Sequence, residues 1–236
     1  MPGVAPIAIL VTGDPVESAR ERYGGFADLI ARALPDGAGA LHAIDCRLSN
    51  LPDLDAYSAL IVTGSPASVT ERAPWMLATA DALRRAVERD TPVLGICFGH
   101  QLLAEALGGR VEPNPRGREM GTVELELVNR DPLLGAKPTL TVNMSHVDSV
   151  VGVPSGAVVL AQSEREPNAA IRFTDQAYGV QFHPEFDADV MRRYIDARRD
   201  VIAVEGLDPD AMWRGVEDAP DGAEVLARFV RGVSRS

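Results

Sequence analysis

Short apolar runs alternate with amphipathic stretches through the first hundred residues of the chain. Residues 7–11, 41–46, 59–63 and 92–96 are apolar runs of strand length, and turn residues such as Thr-Gly-Asp-Pro or Gly-Ser-Pro follow the first and third of them. These patterns predict four buried strands. Residues 18–34 and 75–89 carry apolar side chains at helical intervals, which predicts amphipathic helices between the strands.

The second half of the chain has a different pattern. Residues 117–128, 140–142, 157–161 and 169–173 are short β-rich segments with little helix between them, whereas residues 178–182 repeat the apolar strand pattern and 187–204 follow as a helix. Continuous apolar strands between helices are typical of a parallel sheet covered on both faces. We therefore predict an α/β fold with a mostly parallel central sheet, helices on both faces and a few antiparallel strands.

The chain length fits one large α/β domain, since such domains often reach about 200–250 residues. After Glu205, acidic turn residues separate a short helical piece from an amphipathic helix near residues 224–233. We predict one domain over residues 1–204 and a helical C-terminal extension, residues 205–236, packed on it.

Composition excludes several classes of partner. The 23 basic and 34 acidic side chains give a formal charge of −11, which repels nucleic-acid backbones and anionic membrane surfaces. No apolar run reaches the roughly 18–20 residues needed to span a bilayer, and the start of the chain lacks a basic signal region. Two cysteines without a CxxC pair indicate neither a disulfide framework nor a zinc site. We therefore expect a cytoplasmic protein with no metal or organic cofactor.

Cys97 is the strongest candidate for chemistry. Gly95 and Gly99 flank it in a G-x-C-x-G pattern between a predicted strand and a predicted helix. This spacing is typical of a nucleophile elbow, in which small neighbours let strand and helix approach and the amide after the nucleophile, here that of Phe98, faces an oxyanion. The competing interpretation is a buried structural cysteine, which we prefer for Cys46 because it lacks such a setting.

His183 is the preferred base. It follows a predicted strand, and Glu185 lies two residues later, across Pro184, where it can orient the imidazole. Parallel strands ending before Cys97 and His183 would bring both to one sheet edge. Three other histidines compete: His42 is expected to be structural or exposed, His100 to pack against a loop, and His146, in a polar loop near Asp148, stays an alternative base.

Three segments together resemble the class I, triad-type glutamine amidotransferase family, in particular the amidotransferase domain of GMP synthetases. They are GICFGHQLLAEALGG at residues 95–109, MSHVD at 144–148 and GVQFHPE at 179–185. The resemblance extends from about residue 7 to 194. It implies the family's fold, with the nucleophile elbow at its centre. The acidic extension after Glu205 goes beyond the minimal amidotransferase domain of that family and favours a stand-alone protein.

The resemblance also assigns roles to individual residues. It implies Cys97 as nucleophile, His183 as base and Glu185 as the partner of that base. The amides of Gly64 and Phe98 are then the oxyanion donors, although this chain has Gly-Ser-Pro where many members have Gly-Gly-Pro. On the residues alone, Gln101 and Ser145 would be an ordinary helix residue and a turn hydroxyl. The family positions that contact substrate are matched here by Gln101, Ser145 and His146.

The resemblance implies hydrolysis of a γ-glutamyl amide, that of glutamine or another γ-glutamyl compound, through a Cys97 thioester. No GxxxxGK[ST] phosphate loop occurs, and we expect no synthetase domain in the chain. Three hypotheses stay open. They are a stand-alone hydrolase, such as a γ-glutamyl peptidase acting on a conjugate, a glutaminase subunit that passes ammonia to a separate synthetase, and a non-catalytic binding protein on the same fold. A cysteine protease of α/β type is less favoured.

Overall fold

The computed structural model describes residues 5–48 and 51–233. It contains a nine-stranded sheet and a separate two-stranded sheet. In chain order the strands are β1 (Ile7–Val11), β2 (Leu41–Asp45), β3 (Ala59–Val62), β4 (Val93–Ile96), β5 (Arg110–Pro113), β6 (Glu119–Leu127), β7 (Thr139–His146), β8 (Asp148–Gly152), β9 (Val158–Gln162), β10 (Ala170–Arg172) and β11 (Ala177–Val180).

The large sheet has a parallel half and an antiparallel half. Its strand order is β2-β1-β3-β4-β11-β10-β9-β6-β7. The first five strands are parallel to one another, and the remaining pairs, from β11–β10 onward, are antiparallel. The predicted antiparallel additions to a parallel sheet are therefore confirmed.

Helices pack on both faces of the large sheet. They are α1 (Glu17–Tyr23), α2 (Phe26–Ala33), α3 (Pro74–Glu88), α4 (Phe98–Ala106), α5 (Ala188–Asp196), α6 (Arg199–Val204), α7 (Pro209–Arg214) and α8 (Pro220–Val233), with short 3₁₀ turns at Leu54–Ala56 and Val69–Glu71. Ile9 of β1 packs with Ile30 of α2 in one core cluster, whereas its neighbour Leu10 packs with Leu83 of α3 in another. Successive side chains of a strand point to opposite faces, so a strand buried on both sides is apolar throughout.

Two predicted helices are each divided in the structure. The helix predicted over 18–34 is α1 and α2, because Gly24 adopts a φ of 84° and the amide of Gly25 bonds to the Asp28 carboxylate at 2.8 Å. The helix predicted over 187–204 is α5 and α6, which meet at Ala197 and Arg198. Hydrophobic periodicity continues across both breaks, so the pattern alone does not reveal them.

The prediction of a polar loop around His146 was wrong. β7 continues through His146 because it pairs with β6 over eight residues, and β8 starts two residues later and pairs with β5. The β5–β8 pair was not predicted. At the C-terminal end, α8 starts at Pro220, and its Val225 and Phe229 share a core cluster with Ile61 of β3. Within the described residues, no helix has both the length and the apolar character to cross a membrane.

Candidate functional site

Two neighbouring strands deliver the central residues of the candidate site. β4 and β11 are parallel and in register, with Ile96 opposite Val180. Cys97 directly follows the first strand, and its amide donates to the carbonyl of Val180 at 2.8 Å. His183 lies three residues beyond the second strand, and its amide donates to Asn143 at 2.8 Å. The predicted meeting of these two strand ends at one sheet edge is confirmed.

The turn at Cys97 is a strained elbow. Cys97 has φ 50° and ψ −103°, a backbone conformation that is unfavourable for a residue with a side chain. A Cβ on Gly95 would lie 2.5 Å from the carbonyl oxygen of Gly99, and a Cβ on Gly99 would lie 2.4 Å from that of Val62. Both glycines are therefore required for β3, β4 and α4 to approach this closely.

His183 and Glu185 form a buried pair behind the elbow. Nδ1 of His183 lies 2.8 Å from Oε1 of Glu185, and the Phe186 ring stacks on the imidazole at a centroid distance of 4.0 Å. Burial lowers the pKa of His183, but the Glu185 carboxylate and the Cys97 sulfur together raise it by more, so the pKa lies above its ordinary value. The carboxylate thus favours the protonated imidazole and holds one ring nitrogen.

Cys97 opens onto a cavity of about 350 Å³. Its Sγ lies 3.8 Å from the carbonyl oxygen of Ser145. The cavity is lined by Ser65, Pro66, Ala67, Ser68, Cys97, Phe98, Gln101, Arg118, Ser145, His146, Val147, Asp148 and Arg198. The predicted nucleophile and the predicted substrate contacts therefore share one cavity.

Gly64 follows β3 by two residues, and two threonine hydroxyls fix its carbonyl group. Its carbonyl oxygen is 3.0 Å from the hydroxyls of both Thr12 and Thr63. A Cβ at this position would lie 2.9 Å from Cε1 of His183, so a side chain is excluded here. Ser65, rather than Gly64, lines the cavity. The peptide between Gly64 and Ser65 is trans, so the Ser65 N–H points in the direction opposite to the Gly64 carbonyl. Ser65 is therefore a second candidate for the oxyanion donor, beside the predicted amide of Gly64.

Gln101 and His146 line the cavity, and polar atoms of their side chains are hydrogen-bonded to other residues of the protein. Nε2 of Gln101 donates to the carbonyl of Asp148 at 2.9 Å and to Oε1 of Gln181 at 3.0 Å. The His146 side chain is 1% exposed, with Nε2 3.2 Å from Glu119 and Nδ1 3.0 Å from the carbonyl of Asp148. Both side chains position the segment that ends at Asp148.

The other rivals for catalytic roles lie elsewhere. His42 is exposed, and its Nδ1 lies 2.6 Å from the Tyr57 hydroxyl. His100 is fully buried against Phe173, and burial lowers its pKa to about 3, so it packs as expected. Cys46 is buried, and burial raises its pKa to about 12, as expected for an inert thiol. Among residues 5–48 and 51–233, no cluster of three potential metal ligands occurs.

Two arginines in the cavity wall were missed by the sequence reasoning. Arg118 precedes β6, and Arg198 lies between α5 and α6. Neither position has a local signal, since an arginine in a predicted helix or strand is ordinarily assigned to the solvent face. Only the three-dimensional fold brings them beside Cys97.

Known proteins are similar to this chain over most of its length. The family model "Glutamine amidotransferase class-I" matches residues 23–198. Glutamine-hydrolyzing GMP synthase of Phenylobacterium zucineum is 39% identical over 212 residues, which are 85% of this chain and only 38% of that protein. Gamma-glutamyl peptidase 4 of Arabidopsis thaliana is 29% identical over 80% of this chain and 79% of its own.

Solved structures share the fold. A glutamine amidotransferase from Thermotoga maritima superimposes with a TM-score of 0.78 at 22% identity, covering 98% of this chain and 99% of that one. A glutamine amidotransferase from Methylobacillus flagellatus gives a TM-score of 0.71 at 24% identity, covering 97% of this chain and 95% of that one. The predicted α/β architecture is therefore confirmed.

Proposed function

Because the chain belongs to the class I glutamine amidotransferase family, we propose that it hydrolyses a γ-glutamyl amide through a thioester on Cys97. The observation that carries the proposal is the bond of 2.8 Å between His183 and Glu185, buried directly behind the strained Cys97 elbow. One imidazole nitrogen is engaged by the carboxylate, which leaves the other for the thiol. This arrangement argues against a non-catalytic binding protein, which needs no such pair.

The first half of the reaction forms the acyl-enzyme. His183 takes the thiol proton, and the Cys97 sulfur attacks the γ-carbonyl carbon of the substrate. The amide of Phe98 donates to the oxyanion, together with that of Gly64 or of Ser65. Losing one such donor typically costs about 2.7–4 kcal/mol of transition-state stabilisation. As the C–N bond breaks, His183 returns the proton to the leaving nitrogen, and ammonia or an amine departs.

The second half releases glutamate. Water replaces the departed amine, gives a proton to His183 and attacks the thioester carbonyl. The C–S bond then breaks, and the proton returns to the sulfur of Cys97. Gln101, Ser145 and His146 contribute by holding the wall against which the glutamyl unit binds. Besides the substrate and this water, the proposed steps use side chains and backbone amides of the chain.

Two substrate classes fit this chemistry. Glutamine is favoured by the similarity to glutamine-hydrolyzing GMP synthase, and in that case a separate synthetase subunit would accept the ammonia. A γ-glutamyl peptide is favoured by the gamma-glutamyl peptidase, which matches this chain over about four fifths of both proteins. We further propose that residues 1–204 form the catalytic domain and that residues 205–236 pack on it.

One experiment separates these cases. The purified protein is incubated with glutamine and with a panel of γ-glutamyl amides, and glutamate release is compared with Cys97→Ala and with Cys46→Ala as the matched control. We expect release that Cys97→Ala abolishes and Cys46→Ala retains. Release from glutamine only after a synthetase is added would identify a subunit. No release from any compound, together with no labelling of Cys97 by a glutamine-like chloroketone, would refute the proposal.

A further inference from the structure

Arg198 presents a cation to the cavity that contains Cys97. It lies between α5 and α6 and lines the cavity wall. Its guanidinium carbon is 4.8 Å from the centroid of the Tyr194 ring, and one N–H reaches the carbonyl of Tyr194 at 3.4 Å. A guanidinium stays protonated throughout the physiological range. The arginine is therefore held in place by stacking and by one long hydrogen bond.

This cation lacks a compensating carboxylate. Burial lowers the pKa of Arg198, Arg118 lowers it further, and within the described residues no aspartate or glutamate acts on it. Arg118, the other cavity arginine, is instead neutralised by Glu205, whose two oxygens accept from it at 2.7 and 2.9 Å. The cavity thus contains one neutralised cation and one with its charge unbalanced.

An unbalanced, partly desolvated guanidinium is a good receptor for an anion. Its planar fork matches a carboxylate in a bidentate arrangement, and such charge-assisted bonds are roughly twice as strong as neutral ones. Arg198 and Cys97 line the same cavity, and the Cys97 sulfur raises the pKa of Arg198. An anion on Arg198 would therefore belong to a molecule that also reaches the nucleophile.

We propose that Arg198 binds a carboxylate of the γ-glutamyl substrate and so selects substrates that carry one. The inference rests on the proposed function and extends it to a specificity-determining residue. Two sources share this chemistry: the α-carboxylate of the glutamyl unit, and a carboxylate on the leaving amine of a γ-glutamyl peptide. Arg198 acts by binding and orienting the substrate, and it takes no part in proton transfer.

The test compares Arg198→Met and Arg198→Lys with Arg192→Met. Arg192 is a matched control because it lies on α5, is also half-buried and also stacks on an aromatic ring, Trp213 at 5.1 Å, but does not line the cavity. Kinetics are measured with glutamine, glutamine α-amide, γ-glutamylglycine and γ-glutamylmethylamide. Binding of the same four compounds to Cys97→Ala, alone and combined with Arg198→Met or with Arg192→Met, is measured by calorimetry.

We expect Arg198→Met to raise KM roughly 10- to 100-fold with a smaller change in kcat, and Arg198→Lys to restore part of the loss. If the α-carboxylate is bound, the penalty affects every compound except glutamine α-amide. If the leaving-group carboxylate is bound, only γ-glutamylglycine is affected. Equal penalties for all four compounds, or KM values within about twofold of the native enzyme, would overturn the inference.

The calorimetry keeps this inference separate from the proposed hydrolysis. Without any Cys97-dependent turnover the proposed function fails, and binding to Cys97→Ala then decides the role of Arg198. Carboxylate-dependent binding that Arg198→Met weakens and Arg192→Met retains would support the inference on its own. Binding of none of the four compounds, or binding that is indifferent to Arg198, would refute it.

Discussion

Replacing Glu185 with glutamine tests the pairing on which the proposed reaction depends. Oε1 of Glu185 lies 2.8 Å from Nδ1 of His183, and both residues are buried. Burial alone would lower the pKa of His183, and Glu185 is the first of the groups that raise it. Glu185→Gln keeps the size and one acceptor oxygen, but it removes the negative charge that stabilises the imidazolium.

The expected loss follows from this one bond. A hydrogen bond to a charged group contributes about 1.5–3 kcal/mol, and a neutral one about 0.5–1.5 kcal/mol. The substitution therefore removes about 1–2 kcal/mol from the state in which His183 holds the thiol proton, and kcat/KM falls roughly 5- to 30-fold. If the new NH₂ group faces Nδ1 instead, the ring adopts the wrong tautomer and the loss approaches about 10⁴-fold.

The same pair connects stability to pH. The pKa of His183 is raised in the folded protein, so its contribution to the free energy of unfolding is fully present below the ordinary histidine pKa of about 6.5. That contribution is lost as the pH rises through the raised pKa. The difference in unfolding free energy between the native protein and Glu185→Gln is therefore largest in mildly acidic buffer and decreases in alkaline buffer.

The assays are steady-state kinetics and urea denaturation over a series of pH values. Glu126→Gln is the control, because the Glu126 carboxylate is exposed and accepts a bond from Gln162 at 3.0 Å. Native-like kcat/KM in Glu185→Gln would show that the pair does not assist the thiol. A stability difference that grows with pH would contradict the sign derived for His183.

Two further predictions concern the walls of the site. Gly99→Ala places a Cβ 2.4 Å from the backbone oxygen of Val62, so we expect the free energy of unfolding, measured by urea denaturation, to fall by at least about 1–3 kcal/mol. Gly232→Ala is the control, because its added Cβ meets no atom within 4 Å, and we expect its stability to stay close to native. Equal denaturation midpoints for the two variants would contradict the crowding argument. Ser68→Ala removes a hydrogen bond of 2.5 Å to Asp148 and one of 3.2 Å from the Thr70 amide, so we expect the free energy of unfolding to fall by about 0.5–2 kcal/mol. Because Ser68 and Asp148 line the cavity, KM should rise more than kcat falls. An unchanged KM would show that Ser68 does not support the substrate wall.

The chemistry of the site could be predicted because it is divided between two short segments, each with a local signal of its own. The G-x-C-x-G spacing around Cys97 is a property of five consecutive residues, and its glycines allow close contact with the backbone of Gly99 and of Val62. Likewise Glu185 reaches His183 across a single proline. Local spacing therefore carried enough information to predict the elbow and the histidine–carboxylate pair.

Distant pairing explains the errors in the predicted strands. Asn143 and His146 are polar, which indicated a loop, but both lie in β7 and are buried. Each is hydrogen-bonded to a distant segment, Asn143 to Phe186 and His146 to Glu119. The sequence alone does not distinguish a buried polar residue that is hydrogen-bonded to a distant partner from one that is exposed to solvent. The β5–β8 pair was missed for a similar reason, because residues 110 and 152 pair across more than forty intervening positions.

Arg118 and Arg198 show where sequence reasoning ends most clearly. Both line the same cavity, yet Glu205 neutralises the first, and no carboxylate in the described part of the chain acts on the second. That difference depends on where α6 ends relative to β6, because this is what brings Glu205 to Arg118. The elbow and the His183–Glu185 pair each depend on residues a few positions apart, so each has a recognisable spacing in the sequence. A residue that only contacts the far end of a substrate needs no neighbour in the chain, and its position follows from the fold alone. On the role proposed for Arg198, replacing this residue changes which substrates bind and leaves the geometry of the Cys97 elbow as it is.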